Sequence, residues 1–242
     1  MKQLILMIQF LTRIPLPISL DVTDEDFTKG FKYFPVVGSI IGGLIYAIHF
    51  LLQSYLMPFT VAVIVTCCYL YITGGLHMDG LSDSADGLFS GRKKERILEI
   101  MKDSRIGSNG ALAMMFVVLL KVSFMAELSS EQRVILFLMP MISKYTVVVI
   151  STFSAYARED GMGNWFIGKV KTTDFLLSTG YTGVVIGYFG PQYFMLLLGT
   201  LVFGVMFRQF CYRAIDGMTG DTIGALSELS DVVVLAVAAL ML

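Results

Sequence analysis

Long apolar runs separated by short polar stretches dominate this chain. Seven runs stand out, at about 34–57, 60–76, 109–127, 134–153, 175–190, 192–208 and 230–242. A helix that crosses a bilayer needs roughly 20 mostly apolar residues, so the runs predict about seven transmembrane helices, several of them short. Ahead of them, residues 2–11 combine Lys2, Gln3 and Gln9 with a short apolar stretch and predict an interfacial helix, with Phe10 and its aliphatic neighbours in the headgroup boundary. Lys2 and a short apolar stretch precede Arg13 and Pro15 without a small-residue cleavage site, which argues against a signal peptide. The expected fold class is all-α: a polytopic integral-membrane helical bundle, one domain over 1–242, with no internal repeat and no separable soluble part. Gly38 with Gly42 and Gly183 with Gly187 form small-xxx-small pairs, which predict close helix packing.

Composition agrees with this pattern. Of 242 residues, 55% are hydrophobic and 15% charged, whereas soluble domains carry about 25% charged residues. The net charge of −1 conceals a strong segregation. With the N-terminus inside, the inner segments are 1–33, 77–108, 154–174 and 209–229, and they hold 14 of the 18 lysines and arginines. Arg208 sits at an inner boundary, Lys121 and Lys144 fall within spans, and Arg133 alone lies outside. The positive-inside rule therefore predicts a multi-pass protein of the cytoplasmic membrane with residues 77–108 facing the cytoplasm. Arg92, Lys93 and Lys94 are too short a cluster to read as a nucleic-acid patch, so no nucleic-acid partner is expected. Cys67, Cys68 and Cys211 follow apolar neighbours and read as small buried hydrophobes, not as a disulfide framework.

The candidate chemistry lies between Gly74 and Gly110. Asp79, Asp83 and Asp86 are spaced i, i+4, i+7 in largely apolar surroundings, so a helix would project all three from one face. Such a stripe repels itself unless a cation holds it, and hard oxygen ligands suit Mg²⁺, which completes its shell with water and substrate phosphates. Gly80 and Gly87 each follow a carboxylate and leave room for close approach. Asp103 is a further candidate ligand, and Arg105 offers a bidentate phosphate clamp. Arg158, in a glycine-rich YAREDGMG segment, is a second phosphate contact, and Arg13 is either a substrate contact or an interfacial anchor. His77 is a candidate phosphate donor or proton relay. Asp221 and Glu228 are seven residues apart and would share a helical face as a further acidic pair near substrate or metal. Asp86 or Asp221 is the candidate general base. Lys144, near mid-span, is a functional candidate, and Lys121 reads as structural.

The segments HMDGLSDSADG and KDSRIG, followed by YAREDGMG at 156–163 and GMTGDTIGA at 217–225, resemble the cobalamin synthase (adenosylcobinamide-GDP ribazoletransferase) family, as does FLTRIP at 10–15. The resemblance runs over nearly the whole chain with its motifs in order. It implies that adenosylcobinamide-GDP and α-ribazole, or its 5′-phosphate, are joined to give adenosylcobalamin or its phosphate, with release of GMP. The implied cofactor is Mg²⁺ and the implied partners are the corrinoid nucleotide, α-ribazole and membrane lipid; the sequence leaves a homo-oligomer open. Two other readings remain. CDP-alcohol phosphotransferase-like enzymes also carry spaced DG motifs in a helical membrane bundle, although with different spacing. An ion-coupled transporter would place carboxylates at the bundle centre.

Overall fold

The computed structural model describes residues 1–241, and every regular element among them is a helix. Helix α1 (Lys2–Leu11) buries Leu6, Met7 and Leu11 and is tied to α2 (Asp24–Gly30) by a 2.6 Å Lys2–Asp26 ion pair. Thr23 starts α2 with a capping box: its hydroxyl accepts the Asp26 N–H, and the Asp26 carboxylate accepts the Thr23 N–H. The bundle then runs through α3 (Phe34–Leu52), α4 (Pro58–Thr73), α7 (Ser108–Glu127), α8 (Ile135–Thr152), α9 (Thr172–Phe189), α10 (Phe194–Ile215) and α11 (Gly220–Ala239). Two further helices, α5 (Leu76–Leu88) and α6 (Lys94–Ile100), lie between α4 and α7.

Five helices are long and apolar enough to cross a membrane, or six if α4 and α5 count as one broken span, against the seven expected from the runs. The shortfall is physical. Helix α4 has only 16 residues, and α9 opens on Thr172, Thr173 and Asp174 before a stretch rich in Ser, Thr and Gly. Helix α5 does not continue α4. Gly74 and Gly75 both take left-handed backbone, φ 65° and 70°, and the axis turns by 92°. Helix α5 thus leaves α4 at a steep angle and packs against α11 and α7.

Helix α8 is the centre, with most of its length enclosed. Helix α3 packs on it through Gly38 and Gly42. A Cβ on Gly38 would stand 2.5 Å from the Pro140 carbonyl oxygen, and one on Gly42 would meet the Phe137 backbone. Nothing lies within 4 Å of a Cβ built at Gly183 or Gly187, so the expected second packing pair is not used within the chain. Helix α11 packs against α5, α7, α8 and α10. Helices α7 and α10 expose Phe116, Leu119, Leu198 and Met206, an apolar surface suited to lipid. The largest departure from the sequence reading is at the end of the chain. Residues 209–229 were expected as an inner connection, but α10 runs to Ile215, a short turn follows, and α11 begins at Gly220.

Candidate active site

The close contact of α5 with α11 builds the site. It depends on Gly80 and Gly224: a Cβ on Gly80 would lie 2.8 Å from the Asp221 carbonyl oxygen, and one on Gly224 would lie 3.4 Å from the His77 backbone. A side chain at Gly80 would push the helices apart, whereas a Cβ at Gly224 would reach ordinary van der Waals contact. Because they touch at the backbone, Asp79 and Asp83 on α5 stand beside Asp221 in the first turn of α11. Thr219 caps that turn, its hydroxyl accepting from the Thr222 N–H. A cavity of about 120 Å³ opens here, lined by His77, Asp79, Gly80, Asp221 and Gly224, with Phe10, Phe34 and Phe166 also at its walls.

A second polypeptide crossing delivers an arginine. Ala157 N–H donates to the Met218 carbonyl (2.9 Å) and Met218 N–H to the Ala155 carbonyl (2.9 Å), pinning the 155–158 segment to the turn before α11. Gly217 permits this approach, since a Cβ there would be 2.7 Å from the Ala155 oxygen. Arg158 consequently donates to the Asp221 carboxylate at 2.6 Å, in a largely buried pair. On its other side Arg158 borders an open cleft of about 610 Å³ that also carries Lys94, Lys102, Glu95, Glu99, Glu159 and Asp160. Burial, with the neighbouring Asp79 and Asp221 carboxylates, pushes the Asp83 carboxyl up to about 6. This stripe is rich in negative charge and is only partly offset by Arg158.

The other carboxylates have different roles. Both oxygens of Asp86 accept backbone N–H groups, from Gly107 at 2.7 Å and Gly110 at 2.9 Å. These are the N-cap and third residues of α7, whose own N-cap is a glycine without a side chain. Asp86 therefore caps α7 from a neighbouring helix, where the positive end of the helix dipole favours a carboxylate. The metal-ligand and base roles expected for it would have to be filled by the lone pairs this cap leaves free. Asp103 and Arg105 pair with each other on an exposed loop, at 2.6 Å, with the arginine 87% exposed. Hydrogen bonds from the Arg105 side chain and N–H hold the Asp103 carboxyl down to about 2. Neither residue lines the cavity of Asp79 and Asp221. Arg13 packs over the α4–α5 bend, its N–H donating to the Ile72 carbonyl at 2.7 Å and its guanidinium lying against Gly74. His77 is buried at the cavity wall, with Nδ1 unpartnered.

Glu228 lies two turns inside α11, fully buried, in a charge cluster that the sequence did not reveal. Lys121 donates to Glu228 at 2.6 Å and to Asp231 at 2.8 Å, and Tyr69 donates to Asp231 at 2.6 Å. The Lys121 ammonium also sits 4.5 Å from the centre of the Tyr69 ring. Lys144 donates to the Ser227 hydroxyl at 2.7 Å, and Ser143 to the Ser227 carbonyl at 2.6 Å. Three helices (α4, α7 and α8) are thus locked around α11. A substrate contact from Glu228 would require this ion pair to open. No group of three or more His, Cys, Asp or Glu side chains is placed to hold a metal ion by itself among the described residues. Any cation here would depend on a few carboxylates together with ligand oxygens, which is the usual habit of Mg²⁺.

A model of the cobalamin-5-phosphate synthase family matches residues 3–239. The chain belongs to that family. Proteins named adenosylcobinamide-GDP ribazoletransferase are similar over nearly full length. The Clostridium novyi protein is 44% identical, covering 96% of this chain and 94% of its own length. The Clostridioides difficile protein is 42% identical (97% and 96%), and the Listeria monocytogenes protein 38% (97% and 96%). No solved structure is a significant match. Within the family chain described here, the separated motifs meet at one end of the bundle. FLTRIP braces the α4–α5 bend, HMDGLSDSADG forms α5, YAREDGMG supplies Arg158, and GMTGDTIGA turns into α11. Asp231, Tyr69 and Ser227 were missed by sequence reasoning. The only signal for them was an unpaired lysine, Lys121, which implied an acidic partner somewhere inside the bundle.

Proposed function

We propose that this membrane chain is an adenosylcobinamide-GDP ribazoletransferase, acting at the α5–α11 cavity with the site toward the cytoplasm. Family membership and the names of its relatives support the activity. The observation that carries the site is the meeting of Asp79 and Asp221 at the cavity, with Asp83 beside both carboxylates and Arg158 paired to Asp221. In the proposed reaction, a hydroxyl oxygen of α-ribazole or its 5′-phosphate attacks the phosphorus that bears cobinamide. A new oxygen–phosphorus bond forms, the bond to the GMP oxygen breaks, and the hydroxyl proton passes to a base on the enzyme.

Each residue has a part in this reading. Arg158 binds the diphosphate across the cleft and orients Asp221, which takes the hydroxyl proton. Burial, with the Lys144 and Lys121 charges, holds His77 well below its ordinary pKa, so it stays neutral and offers Nδ1 as a hydrogen-bond partner at the cavity wall. Asp79 and Asp83 would hold Mg²⁺, whose Lewis acidity offsets charge developing on the phosphoryl oxygens. The charge excess around Asp83 suits a cation, whereas Asp86 is committed to capping α7. Lys94 and Lys102 line the adjoining cleft beside Arg158 and are the further cations available to a nucleotide diphosphate, among the carboxylates of Glu95, Glu99, Glu159 and Asp160. The basic residues of the α5–α6 segment lie at this same end, which supports a cytoplasmic orientation.

The test is product analysis with detergent-purified protein, Mg²⁺, adenosylcobinamide-GDP and α-ribazole. The expected result is one GMP released for each corrinoid that gains the ribazole mass, abolished by chelation. Release of CMP from a CDP-alcohol, or uptake into vesicles without a covalent product, would overturn the assignment in favour of the other two readings.

A further inference from the structure

The opposite end of the bundle carries a second polar cavity. Helix α3 leads there: His49 is about 22 Å of helical rise from Phe34, at the wall of the carboxylate cavity. A cavity of about 230 Å³ is enclosed by Tyr46, His49, Phe50 and Gln53 of α3 with Ser130 and Arg133 of the α7–α8 connection. Three of these side chains lack a partner for a polar atom closed off from solvent: His49 Nδ1, Gln53 Oε1 and Arg133 Nε. His49 is itself only 8% exposed. Leaving buried polar atoms unpaired costs about 1–3 kcal/mol each, so three around one void mark a site completed from outside. Arg133 makes no ion pair among the described residues, and it is the only lysine or arginine of the chain in the connections at this end.

The surroundings specify the ligand. Tyr46 and Phe50 are exposed at the cavity, and Tyr55 and Phe59 are exposed at this same end, between α3 and α4 and at the start of α4, the aromatic belt expected where headgroups meet the acyl region. A guanidinium without a carboxylate suits phosphate oxygens. A soluble anion would gain nothing from the aromatic rim, whereas a phospholipid would lay its chains along it. We propose that this cavity seats the phosphodiester headgroup of one membrane phospholipid on Arg133, with His49, Gln53 and Ser130 completing its hydrogen bonds. The site is independent of the transferase reading and stands or falls without it.

Native mass spectrometry of the detergent-purified chain tests this, using phosphatidylethanolamine, phosphatidylglycerol, diacylglycerol and inorganic phosphate as probes. One tightly retained phospholipid is expected, with diacylglycerol unable to replace it. Arg133→Gln should lower retention at least tenfold. Ser130→Trp fills the cavity from an exposed position and leaves every charge in place, so it should do the same with unchanged thermal unfolding. Equal retention by wild type and either folded variant would overturn the proposal. So would equal binding of diacylglycerol, or displacement of the lipid by millimolar inorganic phosphate.

Discussion

Asp83→Asn and Asp86→Asn are both one-atom changes on α5, one turn apart, yet the structure requires opposite outcomes for stability. Asp83 lies among like charges, and its carboxyl is pushed from an ordinary 3.8 up to about 6. A raised carboxyl pKa means that the folded state favours the proton. The resulting penalty is absent below pH 3.8, grows as pH rises, and is complete above about 6. At pH 7.5 without divalent cation, Asp83→Asn removes that penalty, so the variant should unfold no more readily than wild type. Asp86 instead satisfies two N–H groups at the start of α7. Asparagine keeps one acceptor oxygen but loses the other and the charge, at a cost of about 1–3 kcal/mol, with a smaller loss of dipole interaction. Unfolding in mixed detergent micelles, followed with and without Mg²⁺, measures both. Mg²⁺ at a hundred times its dissociation constant adds about 2.7 kcal/mol to a protein with one site. Wild type and Asp86→Asn should gain this, Asp83→Asn should gain little, and product formation by Asp83→Asn should collapse. If Mg²⁺ stabilises Asp83→Asn as much as wild type, the stripe does not hold the metal. If Asp86→Asn is as stable as wild type, the capping argument fails.

Other outcomes follow from the same geometry. Lys121→Met should cost about 3–5 kcal/mol, because it strands two buried carboxylates; adding Glu228→Gln and Asp231→Asn should recover most of it in the same unfolding assay. Gly80→Ala forces α5 from α11 at a 2.8 Å backbone contact, costing about 1–3 kcal/mol and lowering kcat far more than an alanine at Gly43, where nothing lies within 4 Å. Arg158→Lys should lower kcat/KM at least tenfold, about 1.4 kcal/mol, since lysine cannot hold Asp221 and a phosphate at once. Arg105→Lys, on the exposed loop, should lose less in the same steady-state assay.

The sequence by itself determined the all-helical membrane class and placed a helix in each of the seven apolar runs, five of which are long and apolar enough to cross a membrane. Apolar runs flanked by charge report what a bilayer demands, and that demand is local to each helix. It also determined that Asp79, Asp83 and Asp86 share one face of α5, because the i, i+4, i+7 spacing is a property of any α-helix. Sharing a face did not decide a shared role. Asp86 turns to α7 because the glycine at that helix's N-cap leaves N–H groups that only a neighbouring carboxylate can meet. The start of α11 was hidden for a related reason. Asp221, Glu228 and Asp231 look too polar for a span until Arg158, Lys121 and Tyr69 arrive from three other places in the chain to pair with them. Glu228 likewise seemed to belong near substrate, and its partner 107 residues away puts it in the core instead. Hydropathy scores each residue alone, whereas the energy of a buried charge belongs to the pair, and only the tertiary structure decides which residues are paired.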